Sequence, residues 1–220
     1  MDVTTELKER WNDLTSFVVA DVKDKWWEKL KAAYTEPHRR YHTFEHIHKM
    51  FQQFDYHKDS LIQDRFAFAL AIFFHDLVYD PNASDNEHKS ARLFRDFAKQ
   101  TTLDSGTYVC DLIEATVSHC TDAHLNKDQY GTDDVHYFLD FDMAILGESE
   151  AEYDIYRQQI REEYSHYDDK TYAVNRTKVL RMFLQIPNIF ATAVFRESYE
   201  TKARENIQRE IDSLAAAASA

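Results

Sequence analysis

The chain predicts an all-α fold, a single-domain helical bundle, on three observations. Glycine and proline each occur only three times in 220 residues, and tight β-turns and hairpins draw heavily on both. Apolar residues recur at helical period along most of the chain. Segment 66–74 (FAFALAIFF) is apolar on every face and ends in a charged pair, His75-Asp76, as expected of a helix surrounded by others.

The periodicity predicts helices over 4–20, 22–35, 43–58, 61–79, 85–101, 104–120, 133–147, 149–166, 170–185 and 187–213, the last one broken. Two segments interrupt it. Residues 35–40 (TEPHRR) read as a helix stop and a basic turn, and 80–86 (DPNASDN) as a turn cluster with a helix cap near Ser84 or Asp85. No Gly/Ser/Pro linker divides the chain. One compact domain is therefore expected over 1–220, with its core over 22–213 and a disordered alanine-rich tail at 214–220.

Fifteen Phe, 13 Tyr and 3 Trp supply enough burial to exclude intrinsic disorder. The net charge of −13 argues against duplex nucleic acid as a partner. An anionic substrate would need a metal or local Arg/Lys to enter that field, although the acidic excess is most simply a solvated helical surface. Cys110 and Cys120 fall on one predicted helix, about 15 Å apart at a rise of about 1.5 Å per residue. That is too far for a disulfide, so both read as thiols of a reducing compartment. No apolar run approaches membrane-spanning length and the N-terminus has no signal-peptide core. A cytoplasmic protein without a membrane partner is the expectation.

Chemistry concentrates in four places. His42 and His46, in YHTFEHI, are spaced i,i+4 and so project from one helical face, well off the apolar stripe of Phe44, Ile47, Phe51 and Phe54. Spacing alone leaves two readings open, an exposed pair or ligands. His75-Asp76 closes the all-apolar helix, where uncompensated charge is costly. In FLDFDMAILG, Asp142 falls within the stripe of Val135, Phe138, Leu139, Ile145 and Leu146, and Asp140 falls outside it. A carboxylate on a core face needs a partner or a cation, which selects Asp142 over Asp140 as a ligand. Glu87 and His119 also lie on apolar faces. Each alone is more often a hydrogen-bonded core residue, but both are candidates to support the ligands or to hold a second ion. Two imidazoles and two carboxylates (His46, His75, Asp76, Asp142) suit a divalent transition metal, Mn, Zn, Fe, Co or Ni, better than calcium.

Arg39, Arg40, Arg157, Arg161, Lys178 and Arg181 are candidates to hold a phosphate. For any single one, a salt bridge is the plainer reading.

His46, His75-Asp76 and Asp142 match, in order, the H…HD…D signature of the HD superfamily. Together with EPHRRYHTFEHI, LAIFFHDLVYDP, DNEHKSA, FLDFDMAILG, YRQQIREEY and AREN, they resemble the bacterial-type family of metal-dependent HD phosphohydrolases over residues 26–214. That resemblance implies an HD-type helical bundle with one metal ion, or two. It further implies a phosphohydrolase that acts on a small phosphate ester or nucleotide by metal-activated water. Tyr41-His42-x3-His46 is also similar to the opening motif of cyclic-nucleotide phosphodiesterases, in which the first histidine is a general acid and the second a metal ligand. No counterpart of their nucleotide-clamping glutamine region is present, and Asn175-Arg176 stands where the HD phosphohydrolase family has Gly-Arg, a departure expected to touch a helix start.

The reading taken forward makes His46, His75, Asp76 and Asp142 the metal ligands. His42, Asp76, His119 and Glu87 are the catalytic groups, and Arg39, Arg161 and Lys178 bind substrate. The rival expectations are a di-iron HD-type oxygenase and a non-catalytic nucleotide-binding module. The expected partner is a small phosphorylated substrate, and the oligomeric state stays open.

Overall fold

The computed structural model describes residues 2–103 and 106–218. The protein is all-α, with no strand among the described residues. Among the described residues, no helix is long and apolar enough to cross a membrane. The chain forms two compact units, Met1–His119 and Cys120–Ala220.

The first unit contains α1 (Val3–Leu14), α2 (Ala20–Tyr34), α3 (Phe44–His57), α4 (Arg65–Phe74), α5 (Asn86–Ala98) and α6 (Gly106–Ala115). As the sequence predicts, α4 is central. It packs against α1, α3, α5 and α6, and every residue from Ala67 to Phe74 is buried. Around its C-terminal end Phe73 and Phe74 meet Trp11, Trp26, Phe94 and Phe97 at ring centroid distances of 5.1–6.1 Å. Each such aromatic pair adds about 0.5–1.5 kcal/mol beyond its buried area.

The termini of α4 differ from the predicted span 61–79. The helix starts at Arg65 because the Asp64 carboxylate accepts a hydrogen bond from the Ala67 amide at 2.9 Å, which satisfies an N-terminal N–H. Asp64→Ala is expected to cost about 1 kcal/mol, read as a lower urea midpoint with an unchanged slope. An unchanged midpoint would show that the cap is idle. The predicted 4–20 helix likewise ends early, and the Thr15 hydroxyl donates to the Trp11 carbonyl there at 2.5 Å. The first two residues of the predicted 104–120 helix lie outside the described residues. Helix α6 stops at Ala115, and a turn runs on to His119, whose φ of 48° is left-handed.

The second unit contains α7 (Asp122–Leu125), α8 (Asp134–Met143), a 3₁₀ turn (Ala144–Gly147), α9 (Glu150–Glu163), α10 (Asp169–Gln185), α11 (Ala193–Phe195), a π turn (Arg196–Glu200) and α12 (Thr201–Ala218). Helix α12 packs on α9, α10 and the 3₁₀ turn. Its interior carries an ion pair. Arg176 on α10 donates to Glu210 on α12 through Nε at 2.9 Å and Nη2 at 3.2 Å, and the Tyr153 hydroxyl donates to the same carboxylate at 2.6 Å. Burial, with the Glu210 charge beside it, pushes the Tyr153 phenol up, so it stays a donor. Asn175 sits in the middle of α10, not at the helix start expected of it.

Two glycines are set by close approach. A Cβ on Gly131 would lie 2.2 Å from the His136 ring, and one on Gly147 would lie 2.5 Å from the Tyr199 Cβ and 2.7 Å from its carbonyl oxygen. The predicted tail is helical as far as Ala218, in keeping with the helix propensity of alanine. Residues 219–220 lie outside the described residues.

Candidate metal centre

A buried helix end must find donors for carbonyls that the helix no longer serves. At the end of α4 each is accounted for. The His75 Nδ1 meets the Ile72 carbonyl at 3.0 Å, and the Tyr34 hydroxyl donates to Phe73 O at 3.0 Å. The Leu77 amide donates to Phe74 O at 3.1 Å. The Arg39 Nη1 donates to Asp76 O at 2.7 Å and its Nη2 to Leu77 O at 3.1 Å. Buried Ser90, on α5, accepts from the Val78 amide at 2.9 Å and donates to Val78 O at 3.4 Å. The turn that carries His75 and Asp76 is thus held from four sides.

The contact to Ile72 O assigns the His75 tautomer. A carbonyl only accepts, so Nδ1 carries a proton, and Nε2 is the ring nitrogen left to face a cation. That Nε2 lies 3.2 Å from His46 Nε2 and 3.1 Å from Asp76 Oδ2, and His46 Nε2 lies 3.7 Å from the same oxygen. Two imidazole nitrogens and a carboxylate oxygen therefore face one another. His46 and His75 are 2% and 1% exposed, and Asp76 is half-buried. The donor set fits a divalent transition metal, with one histidine fixed through its outer nitrogen by a backbone carbonyl.

His46 belongs to α3, which Thr43 caps from an extended backbone. The cap corrects the sequence reading. His42 precedes the helix, so the His42/His46 pair does not share a helical face, and His46 is buried with the apolar stripe. His42 still lies beside the cluster. Its ring stacks on Tyr79 with centroids 4.2 Å apart and lies 6.1 Å from that of His46.

The remaining predicted residues separate by environment. Asp142, close to the end of α8 in the second unit, is half-buried. Asp140 is the fully buried one, 1% exposed, which inverts the expected order. Its carboxylate accepts from the Ala191 amide at 2.7 Å, the Thr192 amide at 2.8 Å and the Thr192 hydroxyl at 2.6 Å. Burial pushes its carboxyl up to about 7 against the pull of those donors. The stripe misled because Ile145 and Leu146 lie in the 3₁₀ turn, where each residue turns farther than in an α-helix, so they cannot set the phase of α8.

Glu87, in the first turn of α5, is half-buried, with no hydrogen bond or ion pair among the described residues. His119 is half-buried in its left-handed turn. Arg39 is not offered to a substrate. Its side chain has no exposed surface and its donors are engaged. Arg40 is exposed and donates to Pro37 O and Arg39 O. In the second unit Arg161 holds the Tyr164 and Tyr167 carbonyls and Asp169, Arg157 pairs with Asp154, and Lys178 and Arg181 are exposed. Sequence reasoning missed Tyr34 and Ser90, which leave no motif, and the structural role of Arg39, whose one signal is its place in EPHRR. Comparison with family models, curated proteins and solved structures finds no match to this chain.

Proposed function

We propose that this chain is a metal-dependent phosphohydrolase of small phosphate esters or nucleotides, with His46, His75 and Asp76 as ligands of a divalent transition metal. The observation that carries the reading is the convergence of His75 Nε2, whose ring is held through Nδ1 by the Ile72 carbonyl, with His46 Nε2 and Asp76 Oδ2. A divalent cation there supplies activation of water and neutralises charge on a phosphoryl oxygen. That neutralisation matters in a chain of net charge −13.

The protein's own groups orient and move protons. His75 keeps one tautomer, and Asp76 is steadied by the turn beneath it. His42, stacked on Tyr79, donates a proton to the leaving oxygen. Cys110 and Cys120, neither of them in a disulfide, fit a reducing, cytoplasmic setting.

Elemental analysis of the purified protein, followed by a phosphomonoester and phosphodiester panel with Mn²⁺, Zn²⁺, Fe²⁺, Co²⁺ or Ni²⁺ added, tests this. One metal per chain with metal-dependent phosphate release is expected. Tight nucleotide binding without turnover under every metal would replace the enzyme with a binding module. The di-iron oxygenase reading draws on the unpartnered Glu87 carboxylate. Two irons per chain and oxygen consumption would favour it, and a single Mn or Zn would end it.

A further inference from the structure

We infer that Arg39 is a positioning residue of the metal centre, tying the turn that presents Asp76 to the segment that presents His42. The inference rests on the proposed function. One guanidinium reaches both sides of the cluster. Nη1 donates to the Asp76 carbonyl at 2.7 Å and the His42 carbonyl at 3.2 Å, and Nη2 donates to the Leu77 carbonyl at 3.1 Å. Nε donates to Glu36 Oε2 at 2.9 Å, which fixes the plane of the fork. The rings of Tyr34 and Tyr79 lie 5.1 and 5.4 Å from its central carbon. Tyr34 also holds the Phe73 carbonyl, and Tyr79 carries the His42 ring. Apart from Glu36, the partners of the Arg39 side chain are thus the backbone on either side of the cluster and two rings that support it.

A lysine could not replace it. An ammonium is a point charge on a flexible stem, whereas this site uses a planar fork with donors in fixed directions. With the fork gone, the His42 and Asp76 carbonyls lose their shared donor, and the two segments are free to drift apart. Partners that orient metal ligands in this indirect way typically change metal affinity by about 10–100-fold.

The experiment measures Mn²⁺ affinity and turnover in the wild-type chain, Arg39→Lys, Arg39→Gly and Glu36→Ala. Each variant is melted in parallel, and the Co²⁺ absorption spectrum serves as a probe of ligand geometry. Arg39→Lys is expected to bind Mn²⁺ about 10–100-fold more weakly, with a shifted Co²⁺ spectrum. Added methylguanidinium should restore binding to Arg39→Gly, a rescue that a loss of general stability would not show. Glu36 is partly exposed, so Glu36→Ala keeps the fold and answers the question if the Arg39 variants do not fold. Weaker Mn²⁺ binding in it is expected. Wild-type affinity and spectrum in the folded variants would overturn the inference and leave the phosphohydrolase reading standing. A wild-type protein that takes up no cation would overturn both.

Discussion

His75→Ala is expected to leave the protein without tightly bound metal and to lower turnover by at least about a thousandfold, the equivalent of about 4 kcal/mol of transition-state stabilisation. The substitution removes a ring nitrogen that faces the cluster and whose ring is held in place by the Ile72 carbonyl. It also orphans the Ile72 carbonyl, a stability loss of about 1–3 kcal/mol that a melting curve separates from the chemistry. Asp76→Ala should behave alike, because Asp76 Oδ2 lies 3.1 Å from His75 Nε2 and 3.7 Å from His46 Nε2. The checks are metal content by elemental analysis and phosphate release under the best metal. A folded, metal-free His75→Ala protein with wild-type turnover would remove the proposed mechanism.

Glu210→Ala is expected to destabilise the second unit by about 3–5 kcal/mol. It leaves the Arg176 guanidinium, only 12% exposed, without its counter-charge, and it strips the Tyr153 hydroxyl of its acceptor. Urea unfolding measures the loss. Arg176→Met combined with Glu210→Leu should be far milder, since no isolated charge remains buried. A cost below about 1 kcal/mol for Glu210→Ala would mean that Arg176 escapes to water, contrary to its place against Tyr156.

Much of this architecture was readable in advance, and the failures share a cause. The central helix was legible because nothing but all-round burial explains FAFALAIFF. The spacing of the pattern on α3 gave its buried face, with Ile47, Phe51 and Phe54 all within 5% of full burial. What the pattern could not see were places where helical geometry changes. Helix α3 begins at Phe44 behind its Thr43 cap, so the i,i+4 spacing of His42 and His46 does not lie on one helix. After Met143 the chain tightens into a 3₁₀ turn, and the assumed 100° per residue exchanges Asp140 and Asp142. The very short α7 (Asp122–Leu125) is below the reach of any periodicity. Of the candidate site, His46, His75 and Asp76 were legible as residue types in order. Arg39 was legible as a cation, but its use was not. Whether an arginine faces a phosphate or four oxygens of its own chain depends on tertiary neighbours such as Asp76 O and Leu77 O, which lie 37 and 38 positions away.

The approach of Gly147 to Tyr199 couples two distant positions in the history of the chain. Where a hydrogen atom alone fits against the Tyr199 Cβ and carbonyl, neither site can drift by itself. A methyl at 147 would have to be matched by a shift of the π turn at Arg196–Glu200. That turn supplies Glu200 to the Ile189 and Phe190 amides and Arg196 to the Phe190 carbonyl, so the mismatch would spread into both. Divergent descendants of this sequence should therefore keep the glycine or change the whole corner together.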